Sequence, residues 1–118
     1  MLQTNLEHIT TEQEFRDTLA KNKNVMICCG RMGPMCIPVY EVMEDIRGEY
    51  THVAFRDLEF DSPLAHVIKG LPECQNFRGL PFTVYFQDGK PVKATSSIQT
   101  KDQVTRILDE KFVATAKA

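Results

Sequence analysis

Apolar residues along the chain follow two spacings, and together these predict alternating strands and helices. Residues 25–29 form an unbroken apolar run, which is typical of a strand buried on both faces of a sheet. Residues 82–86 combine aromatic and β-branched side chains, as strands commonly do. Between residues 35 and 50 the apolar side chains recur at helical spacing, so this segment is predicted to be a long helix.

Local signals place the remaining elements. Capping boxes at residues 11–14 and 100–103 each predict the start of a helix, and the Ser-Pro pair at 62–63 predicts a third. Weaker alternation at residues 6–9 and 52–60 predicts two more strands.

The segment after residue 86 is predicted to be a hairpin. The Asp-Gly pair at 88–89 favours a tight turn, and residues 91–95 would form the returning strand. Pro91 lacks an N–H, which suits an edge strand better than a central one. The resulting order is β-α-β-α-β-α-β-β-α, an α/β fold in which a mixed sheet carries helices on both faces.

Composition narrows the class of protein. The 118 residues are 42% hydrophobic and carry a net charge of −2, so we expect one domain, 1–118, and no surface built for nucleic acid or membranes. The first residues lack the basic and apolar regions of a secretory signal. We therefore expect a cytoplasmic protein, and a monomer by default.

Four cysteines carry the candidate chemistry: Cys28, Cys29, Cys36 and Cys74. No two have the C-x-x-C spacing, and the histidines are scattered, so neither a zinc site nor another cofactor is predicted. Cys74 lies in a polar segment, where we expect an exposed or half-buried thiol.

Cys36 is the leading candidate nucleophile. It falls in the first turn of the predicted helix, where a thiolate is stabilised. The alternative is a half-buried, unreactive thiol. Cys29 could form a disulfide with Cys36 across residues 30–35, although packing at the end of a strand is the favoured explanation for Cys29.

The turn before Cys36 also contains soft ligands. Met32, Met35 and Cys36 could hold Cu(I) through two thioethers and a thiolate. The same methionines would serve equally well as apolar contacts for a partner.

The chain resembles the thioredoxin family in the run GLPFTVYFQDG at residues 79–89 and in the helix that ends near residue 50. The similarity spans about residues 10–113. It implies a thioredoxin-like fold with a cis Leu80–Pro81 bond facing the active-site turn. It also implies a groove in which an extended peptide pairs with the backbone before Pro81, bordered near Ser97 by a loop that is glycine-rich in the family.

The family's Trp-Cys-Gly-Pro-Cys motif is altered here. Matching Gly33-Pro34 to the family's Gly-Pro places methionines at both cysteine positions, whereas counting back from the helix end places Cys36 at the second and Gly33 at the first. We prefer the second alignment because it needs no gap. Under either alignment the first cysteine is absent, and residues 26–28 provide no buried acid.

The sequence leaves three candidate functions. The first is an atypical thiol/disulfide redox protein that uses Cys36 as a monothiol, at most a weak oxidoreductase, with protein or peptide thiols and disulfides as partners. The second is a redox-inactive binding module whose groove consists of residues Met32, Gly33, Pro34, Met35, Leu80, Pro81 and Ser97. The third is Cu(I) binding at the turn.

Overall fold

The computed structural model describes residues 2–112. Its strands are β1 (Glu7–His8), β2 (Asn24–Gly30), β3 (Ala54–Glu59), β4 (Phe82–Gln87) and β5 (Lys90–Ser96). Its α-helices are α1 (Glu12–Lys21), α2 (Ile37–Ile46), α3 (His66–Lys69) and α4 (Lys101–Lys111), and single 3-10 turns span Pro63–Ala65 and Pro72–Cys74. The predicted order of elements is confirmed. The predicted domain 1–118 extends beyond the described residues at both ends and stays a prediction.

The five strands form one mixed sheet in the order β1-β3-β2-β4-β5. β2 pairs in parallel with β3 and antiparallel with β4, so it lies at the centre of the sheet. This central position explains why all seven of its residues are buried. β5 is an edge strand, and the register with β4 is irregular where Pro91 pairs with Phe86.

The predicted capping and turn signals act as expected. The side chain of Thr11 accepts from the Glu14 N–H and the Glu14 side chain reaches back to the cap. Residues 100–103 form a second capping box at α4. At the β4–β5 turn Asp88 and Gly89 have φ values of 54° and 81°, the left-handed conformations that a tight hairpin requires.

Helix α2 is shorter than the sequence predicts, because both of its ends are turns. Cys36 and Ile37 both donate to the carbonyl of Gly33, which makes residues 33–36 a separate turn before the helix. At the other end, the Glu49 N–H donates to the carbonyl of Ile46, three residues back. This spacing is that of a 3-10 turn rather than of an α-helix. The third helix is also short, and the 3-10 turn at Pro72–Cys74 was not predicted.

Helices cover both faces of the sheet. One cluster contains Met26 and Cys28 with side chains of α2 and α4. The other contains Ile27 and Cys29 with side chains of α1 and the short α3. Alternate residues of β2 thus supply two cores, as the period of a strand requires. No helix within residues 2–112 is long and apolar enough to cross a membrane.

Candidate functional site: a thiol beside the Leu80–Pro81 loop

The topology of the sheet brings three loops together at one end of its strands. Cys29, the next-to-last residue of β2, pairs with Phe82 at the start of β4, and Phe82 pairs with Ser96 at the end of β5. The segments that follow β2, precede β4 and follow β5 therefore meet there. Residues 31–36, 79–81 and 97–98 are neighbours, although they are far apart in sequence.

Gly30 is the point around which the site is packed. A Cβ placed on Gly30 would lie 2.8 Å from the Cys36 sulfur, 2.8 Å from the Tyr40 hydroxyl oxygen and 3.0 Å from Cβ of Pro81. The thiol and the proline loop are thus packed against the same backbone. The structure places Cys36 beside Pro81.

The Cys36 thiol is buried and accepts one long hydrogen bond from the backbone. Cys36 is 3% exposed, and its sulfur accepts a hydrogen bond from the Arg31 backbone N–H at 3.4 Å. Burial raises the pKa of the Cys36 thiol, and the N–H and charge of Arg31 oppose this with smaller effects. The thiol is therefore mostly protonated at neutral pH, although it occupies the N-cap of α2.

The Arg31 guanidinium itself is directed away from the thiol. It makes a bidentate contact with Asp61, with the Nε–Oδ2 distance at 2.8 Å. Hydrogen bonding and charge from Arg31 lower the pKa of Asp61, and Asp61 raises that of Arg31. Both side chains are exposed, so this pair contributes little to stability.

The proline loop is tied to the loop after β5. The Leu80–Pro81 bond is cis, and the Ser97 N–H donates to the carbonyls of Gly79 and Pro81, both at 3.0 Å. Ser97 has a φ of 69°. Within residues 2–112 neither the N–H nor the carbonyl of Leu80 has a hydrogen-bond partner. The half-buried Leu80 thus offers one free donor and one free acceptor.

The rim of the site is apolar and exposed. Met32 and Met35 are 40% and 44% exposed, and Pro34 between them is exposed as well. Gly33 has open space around its Cα. Ile98, which follows Ser97, is 43% exposed. Sequence reasoning missed Ile98, whose only signal is an apolar residue within a polar loop.

The disulfide suggested between Cys29 and Cys36 is not formed. All four cysteines are free, and Cys29 lies in the core cluster on the α1 and α3 side, whereas Cys36 belongs to the other cluster. The physical reason is strand alternation, which places Cys28 rather than Cys29 on the Cys36 side. Burial raises the pKa of Cys29 to about 12.

The expected exposure of Cys74 is wrong. Its segment forms the 3-10 turn Pro72–Cys74, whose last residue is buried in the cluster that contains Cys29. Burial raises the pKa of the Cys74 thiol to about 11. Cys74 is therefore not poised for surface chemistry.

A buried acid exists after all, on the strand predicted at residues 52–60, whereas sequence reasoning looked for an acid only at residues 26–28. Asp57 of β3 is fully buried and pairs in register with Cys28. It accepts a hydrogen bond from Thr4 and contacts His8 Nδ1 at 2.7 Å. Burial raises the pKa of Asp57, and its two partners oppose this in part. An Asp among the apolar residues of a predicted strand was the available signal.

The three residues suggested as Cu(I) ligands differ in exposure. Within the described part of the chain no three His, Cys, Asp or Glu side chains are grouped to hold an ion. The thioether of Met32 accepts the Gln3 N–H at 3.3 Å, while Met35 is exposed and the Cys36 sulfur is buried.

Several solved structures with a similar fold are thioredoxins. Plasmodium falciparum thioredoxin has a TM-score of 0.73 and 16% identity, covering 90% of this chain and 99% of that chain. A mutant thioredoxin of Halobacterium salinarum NRC-1 has a TM-score of 0.73 and 19% identity, covering 93% and 95%. Thioredoxin O2 of Arabidopsis thaliana in the oxidised state has a TM-score of 0.71 and 14% identity, covering 94% and 97%.

The protein therefore has a thioredoxin-like fold, as the motif at residues 79–89 predicted. No family model and no curated protein sequence matches the chain.

Proposed function

We propose that this protein exchanges thiols and disulfides with a protein partner through one thiol, that of Cys36. The observation that carries the proposal is the position of the Cys36 sulfur, which packs around Gly30 together with Pro81. A thiol in this place lies next to the unpaired backbone groups of Leu80. A partner held there would present its own sulfur to Cys36.

Docking is the first step of the proposed reaction. An extended partner segment can hydrogen-bond to the free N–H and carbonyl of Leu80, which adds a short strand at this edge. The exposed side chains of Met32, Met35 and Ile98 provide an apolar rim for its side chains. Thioethers adapt to varied shapes, so we expect the rim to accept more than one partner sequence.

Exchange is the second step. The Cys36 thiol loses its proton to solvent, and the thiolate attacks one sulfur of a partner disulfide. A new S–S bond forms between Cys36 and that sulfur as the partner's S–S bond breaks. The other partner sulfur leaves as a thiolate with the bonding electron pair and then takes up a proton. The partner disulfide is reduced and Cys36 is oxidised to a mixed disulfide.

The mixed disulfide is expected to persist, because no reactive second thiol lies nearby. Cys28 is on the same side of the sheet, but it is fully buried and burial raises its pKa well above the ordinary value. Release then requires an external thiol, so we expect no ordinary disulfide-reductase turnover. Four free thiols fit a reducing compartment such as the cytoplasm.

A peptide disulfide tests the proposal. An extended peptide whose cysteine is bonded to 2-nitro-5-thiobenzoate releases that coloured thiolate when Cys36 attacks the peptide sulfur. We expect one equivalent of slow release, faster at higher pH, and a peptide adduct on Cys36 by mass spectrometry. Cys36→Ser should abolish the adduct, whereas Cys74→Ser, the matched change at a buried thiol in the other cluster, should retain it. An adduct that survives Cys36→Ser would contradict the proposal.

The second candidate is a binding module that performs no redox chemistry. Its supporting observation is the contrast between a buried Cys36 with a raised pKa and an exposed rim at Met32 and Met35. The same peptide with its cysteine replaced by serine measures binding alone. Binding of the serine peptide, together with no adduct on Cys36 from the disulfide peptide at alkaline pH, would favour the module.

Cu(I) binding by Met32, Met35 and Cys36 is the third candidate. The two thioethers are accessible, but the Cys36 sulfur would have to turn outward from its buried position. Competition with a chromogenic Cu(I) chelator is the test. Binding of one ion that is lost on replacing both methionines by leucine would support the site, and no binding above that of the double variant would exclude it.

A further inference from the structure

The hydroxyl of Tyr40 is a buried polar group that lacks a partner. The residue is 1% exposed, and its oxygen has no hydrogen bond within the described residues. A buried hydroxyl without a partner destabilises the folded protein relative to one that is paired. A phenylalanine would fill the same space without this cost, so the retained hydroxyl calls for an explanation.

The hydroxyl is aimed at the thiol site. Tyr40 lies one turn after Cys36 on α2, and its N–H donates to the Cys36 carbonyl at 3.2 Å. Residues at this spacing share a helix face. The Tyr40 oxygen and the Cys36 sulfur each lie 2.8 Å from the same point above Gly30, where a side chain is missing.

The other groups around Tyr40 do not satisfy it. Those that act on it electrostatically are Cys28, Cys36, Asp57 and Cys29. Asp57 is already engaged by Thr4 and His8, and the Cys28 sulfur accepts from Thr83 at 3.8 Å. Arg31 faces the Cys36 sulfur through its backbone N–H and holds Asp61 with its side chain. Cys36 is the one group in this set whose charge changes in the proposed reaction.

We infer that the Tyr40 hydroxyl donates a hydrogen bond to the Cys36 sulfur when that sulfur becomes a thiolate. No hydrogen bond joins the two groups in the resting protein, in which the thiol is neutral and only a weak acceptor. A thiolate is a charged acceptor, and hydrogen bonds to charged groups are about twice as strong as neutral ones. The inference rests on the proposed function, since it assigns Tyr40 a part in the step at which Cys36 attacks.

Tyr40 remains a donor throughout this step. Burial raises the pKa of its phenol far above the ordinary value, so the hydroxyl is protonated at neutral pH. The Cys36 proton leaves to solvent and the Tyr40 proton stays on oxygen. Together with the Arg31 N–H, the Tyr40 hydroxyl gives the thiolate two donors in a site that otherwise disfavours charge.

The test compares Tyr40→Phe with Tyr85→Phe. Tyr85 is also fully buried and its hydroxyl is also unpaired, but it lies on β4 opposite Met26 rather than at Gly30. Each change removes one orphan hydroxyl and keeps the ring. Alkylation of Cys36 by iodoacetamide is followed across pH by mass spectrometry, together with thiobenzoate release from the peptide disulfide.

We expect Tyr40→Phe to slow alkylation of Cys36 about tenfold below the thiol's pKa and to move the pH profile upward. Tyr85→Phe should leave the profile where it is. A Tyr40→Phe profile that coincides with the wild type would overturn the inference. If Tyr40→Phe fails to fold, 3,5-difluorotyrosine at position 40 replaces it, a stronger donor that should move the profile downward; an unmoved profile would again refute the contact.

Different results would overturn the proposed function and the role of Tyr40. If the wild type never forms a peptide adduct, the proposed function fails, and the alkylation profiles still decide whether Tyr40 stabilises the thiolate. If the adduct forms at equal rates in wild type and Tyr40→Phe, the proposed function stands and the role of Tyr40 is withdrawn.

Discussion

At the scale of single residues, the site depends on a missing side chain. Gly30 ends the central strand, and the space beside its Cα is filled by a sulfur, a phenol oxygen and a proline ring. Gly33, three residues later, faces open space instead. Two glycines in one turn region thus have different roles, and nothing in the local sequence distinguishes them.

Gly30→Ala is expected to disturb both stability and the thiol. The added methyl would lie closer than contact distance to Cys36 and Tyr40, and overpacking of this kind costs about 1–3 kcal/mol. Urea unfolding measures the loss, and alkylation of Cys36 should become faster as the sulfur is displaced toward solvent. Gly33→Ala is the matched control, for which we expect a change within about 0.5 kcal/mol. Equal stability of the two variants would contradict the packing described here.

At the scale of elements, local signals explain where the helices begin but not where they end. The capping boxes of α1 and α4 form as their sequences predict, because each joins residues three apart. Helix α2 has no side-chain cap, and Pro38 in its first turn sets its start instead. The helical pattern through Tyr50 continues after Ile46 only as a turn, in which Glu49 and Tyr50 both donate to the Ile46 carbonyl.

Thr100→Ala should destabilise α4. The change removes the oxygen that accepts the Gln103 N–H at 3.2 Å, and loss of an N-cap costs about 1 kcal/mol. Thr105→Ala in the same helix removes only two bonds to the helix's own backbone and should cost less. Thermal unfolding of both variants tests the difference; a larger loss for Thr105→Ala would argue against the cap.

At the scale of the whole molecule, the sheet connects the Cys36 site to a buried acid. The site at Gly30 and Pro81 lies at one end of β2, whereas Asp57 links β3 to β1 and to the segment before β1. Asp57 pairs with Cys28, so it lies under α2 near the site but outside it. Its partners Thr4 and His8 fix the position of the chain's first strand.

Asp57 should make stability depend on pH in a defined direction. Because burial raises its pKa in the folded protein above the ordinary 3.8, the folded state holds a proton that the unfolded state releases. The stability that protonated Asp57 contributes is fully present below the pKa of Asp57 in the unfolded chain. It is lost as the pH rises through the pKa of Asp57 in the folded protein. Asp57→Asn removes this dependence.

Urea unfolding of the wild type and Asp57→Asn over pH 3 to 8 measures the pH dependence that Asp57 gives to the free energy of unfolding. The unfolding free energy of the wild type, relative to the variant, should fall as pH rises above about 4. The exposed carboxylates, among them Glu14 and Asp61, titrate in both proteins and cancel in the difference. A difference that is constant with pH, or that rises with it, would contradict the direction given for Asp57.

The sequence by itself determined the order of elements, both capping boxes and the hairpin at Asp88 and Gly89. These features depend on residues a few positions apart, whose conformations are set by local sterics and hydrogen bonds. The motif at residues 79–89 extended this to the fold as a whole.

Only the tertiary structure decided the chemistry of the site. That Cys29 faces away from Cys36, that Cys74 is buried, that Tyr40 reaches Gly30 and that β3 supplies Asp57 all follow from contacts between segments distant in the chain. Burial and the charge of neighbours set a thiol's pKa, and both are properties of the packed molecule. The sequence could therefore name Cys36, but only the fold shows a buried thiol beside an unpaired phenol.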